Sequence, residues 1–286
     1  MNIGAACKRL LLISIRNEYL IYKMKHMHKI TETLKTALLR GGKILSAAMK
    51  KPKKISYKGQ ANLVTETDGK VEQVIIKLIL QNFPDHAVLA EESASGSSIS
   101  KSPYRWIIDP VDGTTNFAHG LPLASVSIGF EDHGAMTVGG VYNPFMNELF
   151  WAEKGKGAFL NAKRIRVSQT SELKSSLLVT GFPYDRSKHA RRYLKIVEAF
   201  LQTSHGIRRL GSASLDLCFV ACGRFDGYWE SKLMPWDQAA GFLIAEEAGA
   251  RVTNFKGKPF SIYEKETLAT NGKIHDEMLD VLKKFV

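Results

Sequence analysis

Apolar and polar positions follow two different periods along this chain, and the switches between them draw its elements. In residues 28–49, Ile30, Leu34, Ala37, Leu38, Gly41, Leu45 and Ala48 fall on one face of a 3.6-residue spiral, predicting a core-facing helix. Val71, Val74, Ile75, Leu78 and Ile79 predict a second helix that stops at Phe83-Pro84, with Asp68 read as its N-cap. A short apolar strand over 87–90 runs into Glu91-Glu92-Ser93, and the polar stretch 93–103 is a loop of the kind that covers a site. Residues 125–130, 136–142, 149–152 and 158–160 read as successive strands, broken at Asp132-His133-Gly134, Asn143-Pro144 and around Gly155, and predict an antiparallel meander.

The second half alternates differently. A strand over 177–180 and a helix over 189–203 lead to Arg209-Leu210-Gly211-Ser212-Ala213-Ser214, then a helix through Cys222 and a strand over 225–230. Pro235-Trp236-Asp237 opens a further helix, with a proline in the first turn and an acid near the start. A strand over 267–270 and a helix over 274–285 close the chain. The pattern divides it into an N-terminal extension (1–26), an α+β part to about residue 180, and an α/β part over 181–286.

The segment Trp106-Ile107-Ile108-Asp109-Pro110-Val111-Asp112-Gly113-Thr114-Thr115-Asn116-Phe117 stands apart from this background. An apolar run ends in a carboxylate, a proline, a second carboxylate, a glycine and two hydroxyls. Pro110 cannot donate to a strand ladder, which predicts that the chain bends where its charges sit. Asp109 and Asp112 then face one point, where two anions repel unless a proton or a hard cation such as Mg²⁺, Mn²⁺ or Ca²⁺ intervenes. The amides after Gly113 offer a nest or helix start for a phosphate. A turn held by Asx hydrogen bonds is the plainer alternative.

Charge changes the picture little once it is located. The net +12 lies entirely in residues 1–60, which hold fourteen Lys or Arg and two acids; the remaining 26 bases and 26 acids balance. The basic N-terminal arm and Lys50-Lys51-Pro52-Lys53-Lys54 read as solvated surface, and no aromatic pattern of an RNA-binding module accompanies them. Nucleic-acid binding through the arm is kept as a secondary expectation. Cys7, Cys218 and Cys222 suit a reducing compartment, here the cytoplasm, better than a disulfide framework. Residues 8–15 begin like a signal peptide, but Arg16 and Glu18 interrupt the apolar run and nothing approaches a membrane span.

Asp68, Glu91, the Asp109/Asp112 pair and Asp237 each have a bland reading alone. Together with Leu63-Val64-Thr65-Glu66-Thr67-Asp68, Glu91-Glu92-Ser93, Gly211-Ser212-Ala213 and Pro235-Trp236-Asp237-Gln238-Ala239-Ala240-Gly241, the central segment resembles the inositol monophosphatase family over residues 28–286. The resemblance implies a layered αβαβα sandwich, commonly a homodimer, and Li⁺-sensitive hydrolysis of phosphate monoesters with two or three Mg²⁺ ions, Mn²⁺ being a substitute. It implies that Glu91, Asp109 and the Val111 carbonyl hold one ion, that Asp109, Asp112 and Asp237 hold another, and that a metal-bound water attacks phosphorus in line. Glu91 and Thr114, with Asp68 behind them, would orient and deprotonate that water, and Lys58 would balance charge. The Gly113 and Thr114 amides would receive phosphate oxygens, while Asp112, Gly211, Ser212, Ala213, Glu230 and Asp237 would line the sugar or alcohol site. Inositol 1-phosphate is the expected substrate, with fructose 1,6-bisphosphate and adenosine 3′,5′-bisphosphate as alternatives within the same superfamily. Animal members carry a His-Cys pair before Trp-Asp; Ser231-Lys232-Leu233-Met234 before Pro235 looks bacterial. Phosphatases with an aspartyl nucleophile need acids two residues apart, whereas Asp109 and Asp112 are three apart.

Overall fold

The structure, a computed structural model, describes residues 3–51, 55–57, 63–94 and 102–285, with side chains in the first helix from Met24 onward. Helix α1 (Ile3–Met49) is followed by a hairpin of β1 (Ile55–Tyr57) and β2 (Leu63–Thr65), and then by α2 (Glu66–Asn82). The helix predicted over 28–49 is thus the second part of a longer one. Residues 3–26, expected to stand apart as an extension, continue it. Ile30, Leu34, Ala37, Leu38 and Leu45 are fully buried, as their spacing predicts.

The larger sheet is built from β3 (Ala87–Ala90), β4 (Tyr104–Asp112), β5 (Ser125–Asp132), β6 (Ala135–Asn143), β7 (Glu148–Glu153), β8 (Gly157–Leu160) and β9 (Lys163–Arg164). These strands lie in sequence order; β3 and β4 are parallel and the rest form the expected antiparallel meander. A short helix, α3 (Thr114–Ala118), follows β4 directly. Pro110 does not end β4. The strand continues to Asp112 and the register against β5 shifts between Asp109 and Asp112, so the missing N–H is absorbed by a bulge that turns the acids without breaking the strand.

A second sheet has the order β11-β10-β12-β14-β13, formed by β10 (Leu177–Thr180), β11 (Gly206–Arg208), β12 (Gly227–Ser231), β13 (Arg251–Thr253) and β14 (Glu266–Thr270). Here β10 runs parallel to both β11 and β12, and β14 is antiparallel to its neighbours. The strand over 177–180, read as the start of the second half, pairs in this second sheet. The remaining helices are α4 (Arg186–Thr203), α5 (Ala213–Ala221), α6 (Pro235–Glu247) and α7 (His275–Leu282).

Adjacent strand residues point to opposite faces, and here both faces are apolar. Ile108 packs with Leu34 and Leu38 of α1 and Val71 and Ile75 of α2, whereas its neighbour Ile107 packs with the α5 and α6 side chains Leu217, Val220, Leu243 and Ile244. The second sheet repeats the rule: Val179, Tyr228 and Ala269 face α5 and α6, while Leu178, Trp229 and Leu268 face Ile196 and Phe200 of α4 and Met278 and Leu282 of α7. The order helix, sheet, helix, sheet, helix is the αβαβα sandwich expected. Burying α5 between two sheets explains why all nine of its residues are buried.

Candidate active site

The site forms where β4, α2, α5, α6 and β12 end near one another. Thr65 is the N-cap of α2: its Oγ accepts from the Thr67 N–H, and Asp68, at the third helical position, accepts from the Thr65 N–H at 3.0 Å and from its hydroxyl at 2.5 Å. Asp68 is therefore the acid of a capping box and not the cap itself. Its other oxygen faces the Thr114 hydroxyl at 3.3 Å, a hydroxyl that also lies 2.9 Å from the Val111 carbonyl.

Asp109 and Asp112 follow from the bulge. The Val111 N–H donates to Asp109 at 3.0 Å. Asp112 is held by the start of α5: the Ser212 and Ser214 hydroxyls donate to one oxygen at 2.6 and 2.5 Å, the Ser214 amide donates to the same oxygen at 2.8 Å, and the Ala213 amide reaches the other at 3.2 Å. Ser125 lies 3.0 Å from the Ser214 hydroxyl, whose proton is engaged, so Ser125 is the donor of that pair. Gly113 adopts φ 88° and its position leaves no room for a Cβ, which would come within 2.8 Å of the Leu123 carbonyl oxygen. The turn is pinned from the other side by Asn116, whose amide donates to the Leu123 and Leu210 carbonyls at 2.7 Å each.

Asp237 enters from the first turn of α6, where its carboxylate accepts from the Met234 N–H at 2.7 Å. Glu230, near the end of β12, accepts from the buried Tyr228 hydroxyl at 2.7 Å and packs so closely over Gly181 that a Cβ there would lie 2.1 Å from its carboxylate. Gly211 also has a positive φ, 88°. Lys58 lies outside the described residues.

Electrostatics shows which of these acids share a field. Burial holds Asp109 well above the usual carboxylate range, and Glu91, Asp112, Asp237 and Asp68 push it further, in that order. Asp237 is raised by burial and by Asp112, Glu91 and Glu230, with the Met234 N–H opposing. Asp112 is raised by burial but restrained by its serine donors. Burial lifts Asp68 to about 6 and Glu230 to about 7. The structure thus brings Glu91, Asp109, Asp112, Asp237 and Asp68 into one repulsive cluster, with Glu230 on its flank.

As these side chains are set, no three of the His, Cys, Asp and Glu side chains among the described residues form a ready-made cation cage. Asp68, Asp109, Asp112, Asp237 and Glu230 are instead turned toward backbone or hydroxyl donors. The donor set still fits Mg²⁺: it consists of oxygens, it is dry enough to repel itself strongly, and it leaves coordination to be completed by water and phosphate, which is how Mg²⁺ is usually held.

Several neighbours escaped the sequence reading. Ser214 contributes two of the four bonds to Asp112, and its signal was a second serine at the mouth of a helix. Asp216, one turn into the otherwise apolar α5, is fully buried with neither oxygen hydrogen-bonded, and burial, Glu230 and Asp112 raise its carboxyl well above the usual range. Tyr184 is half-exposed, yet desolvation and then Glu91, Asp237, Asp109 and Asp112 raise its hydroxyl.

A bulged strand thus presents acids to a helix start inside a five-layer sandwich. The sequence signature of the inositol monophosphatase family matches residues 26–284, and the chain belongs to that family. It is 47% identical over 247 residues to an inositol-1-monophosphatase of Synechocystis sp., covering 86% of each chain. It is 40% identical to a fructose-1,6-bisphosphatase/inositol-1-monophosphatase of Aquifex aeolicus, covering 92% of this chain and 98% of that one. Among solved structures, the extragenic suppressor protein suhB of Bartonella henselae superposes with a TM-score of 0.84 at 37% identity, over 90% of this chain and 99% of the other. The family is generally metal-dependent, and the protein is a phosphatase.

Proposed function

We propose that the protein is a Mg²⁺-dependent phosphate monoester hydrolase acting on inositol 1-phosphate. The observation that carries this reading is Asp109: a dry carboxylate repelled by four others is stable as an anion only beside a cation. Glu91, Asp109 and the Val111 carbonyl would hold one ion, and Asp109, Asp112 and Asp237 another, with Mn²⁺ as a substitute. Bound there, the cations supply Lewis-acid polarisation of phosphate oxygens and lower the pKa of water.

The chain's own groups do the rest. Above pH about 6, Asp68 is ionised and accepts the Thr114 proton, so Thr114 Oγ1 turns a lone pair toward an incoming water. Glu91 takes part in removing that water's proton. The Gly113 and Thr114 amides, fixed by the left-handed turn, face phosphate oxygens and stabilise charge that grows in the transition state. Ser212 and Ser214 hold Asp112 in one rotamer, and Gly211, Ser212, Ala213 and Glu230 bound the space for the alcohol.

Fructose 1,6-bisphosphate is the second reading, favoured by the double name of the Aquifex relative. Both readings suit a cytoplasmic homodimer, and no described helix is long and apolar enough to cross a membrane. Turnover of inositol 1-phosphate, fructose 1,6-bisphosphate and adenosine 3′,5′-bisphosphate, measured side by side with Mg²⁺, tests the proposal. The expected result is the highest kcat/KM on inositol 1-phosphate and complete loss with chelator. Absence of Mg²⁺-dependent hydrolysis on all three would overturn it.

A further inference from the structure

Helix α4 carries two apolar faces. Tyr193, Ile196 and Phe200 are buried, and Ile196 and Phe200 pack with Trp229, Leu268 and Met278. A second line, Ala190, Leu194, Val197 and Leu201, is spaced four, three and four residues apart, which sets it along one side of the helix over about 17 Å. Ala190 is exposed, Val197 is half-buried, and Leu194 and Leu201 are 58% and 60% exposed. Exposed leucines scattered singly are ordinary on a protein surface, whereas four apolar positions in line over three turns form a seam that a partner can cover.

Charge gathers beside that line. Residues 186–195 hold Arg186, Lys188, Arg191, Arg192 and Lys195 and no acid, so the even balance over 61–286 conceals a local excess of five cations. All five are exposed, and Lys188, Arg191 and Lys195 recur about one turn apart along the solvent side of the apolar line. None of the five pairs with a described carboxylate. Asp185, the acid just before the helix, is engaged by Lys232 and His189 instead, and Arg186 faces the Tyr184 ring, its centroid 6.0 Å away. Cations at the start of a helix also meet the positive end of its dipole, and no acid in the first turn offsets this. The arrangement therefore costs the free protein stability.

An apolar seam with cations along one flank is complementary to an amphipathic helix whose apolar residues recur every three to four positions and whose flank is acidic. At its start the seam runs into a cavity of about 490 Å³, where Ala190 and Leu194 meet Phe182, Tyr184, Arg186 and Ser187. A large side chain at one end of a docked helix would fill that space. A second copy presenting the same face would set its five cations against the other five. A flat anionic membrane would also press on the acidic cluster, which lies close enough to the cavity for Glu91 and Asp237 to act on the Tyr184 hydroxyl. The backbone of an RNA strand would meet the cations but leave the leucines uncovered.

We propose that the outer face of α4 docks an acidic amphipathic helix of a partner protein, with aliphatic side chains laid on Ala190, Leu194, Val197 and Leu201 and carboxylates facing Lys188, Arg191 and Lys195. The contact is independent of hydrolysis, since none of these residues belongs to the acidic cluster or to the proposed alcohol site.

The test is fluorescence anisotropy of the full chain with a labelled, designed helical peptide that carries leucines along one face and glutamates elsewhere, against a peptide of the same composition with its leucines scattered around the helix. The first is expected to bind at least about tenfold more tightly than the second. Arg191→Glu with Lys195→Glu, and separately Leu194→Asp with Leu201→Asp, should each weaken that binding by about tenfold or more. All four side chains are exposed, so the fold should survive, and melting curves check this. The milder pair Arg191→Gln with Lys195→Gln should still weaken binding by about threefold if the reversed charges lower the melting temperature. Equal affinity for the two peptides, or no binding of the first at about 100 μM, would overturn the docking face, as would binding that survives both pairs of substitutions. Tighter binding of a short single-stranded RNA or of phosphatidylglycerol vesicles, lost on the same substitutions, would assign the face to those ligands and overturn it too. Self-association of the wild type that Leu194→Asp with Leu201→Asp abolishes would assign it to a second copy, with the same consequence.

Discussion

The two sides of the acidic cleft are built on different principles. On the β4 side, Asp68, Asp109 and Asp112 are all clamped by main-chain N–H groups, and Asp109 is under repulsion from four other acids. On the β12 side, Glu230 is held by a single phenol, and Asp216 behind it has no hydrogen bond at all. Burial is the main cause that raises both of these groups, with Asp112 adding to each and Glu230 to Asp216. Rigid donors fix the atoms that would meet cation and phosphorus, where small displacements are costly. On the proposed reading the looser side would face the alcohol, where substrates can change without disturbing the chemistry.

The largest expected break in this contrast is Asp109→Asn. Removing the shared anion should lower Mg²⁺-dependent turnover by roughly 10³-fold or more, while circular dichroism stays unchanged and the metal-free protein melts higher at pH 8 because the repulsion is gone. Thr114→Ala acts on the same side but leaves the acids in place. It should reduce kcat by about 10²-fold with little change in KM, because general-base assistance is a transition-state effect.

Glu230→Gln probes the other side and should show the opposite split. A charge-assisted contact to the substrate hydroxyl is worth about 1.5–3 kcal/mol, so KM for inositol 1-phosphate should rise at least tenfold while kcat moves only a few-fold. An equal fall in kcat would erase the distinction between the two sides.

Stability against pH sharpens the comparison further. Asp68 and Glu230 have folded-state values raised to about 6 and about 7, so the folded metal-free protein holds protons that the unfolded chain releases earlier. Their contribution is therefore fully present below the ordinary carboxylate range and is lost as pH rises through 6 to 7. Thermal melts should show metal-free stability falling across that window, and added Mg²⁺ should recover more stability at pH 8 than at pH 5.5. The smallest effect is expected for Ser214→Ala, which removes one donor of several to Asp112. It should cost about 1–2 kcal/mol, or a drop of about 2–4 °C in Tm per kcal/mol for a domain approaching this size.

Much of this arrangement was legible in the residues. The meander came from period-two runs, and the acids of the central segment from a strand that stopped being apolar. What sequence could not supply was mostly long-range or very short. Pro110 signalled a break, but a bulge against β5 satisfies the same constraint while keeping the strand. Asp68 carries the side chain of a cap, and only the backbone at Thr65 decides that it sits at the third helical position. The three-residue strands Gly206–Arg208 and Arg251–Thr253 are too short to show a period, and they exist because β10 and β14 offer open edges. Ser214, Asp216 and Tyr184 join the site through folding that brings α5 and α4 to β4, and no local pattern marks that approach.

Cation binding itself tests the central claim most directly. Mn²⁺ stoichiometry, measured in the presence of phosphate by electron paramagnetic resonance on wild type and Asp109→Asn, should give at least two ions per chain in the wild type and at least one fewer in the variant. Equal stoichiometry and affinity in the two proteins would contradict the reading that Asp109 is shared between ions.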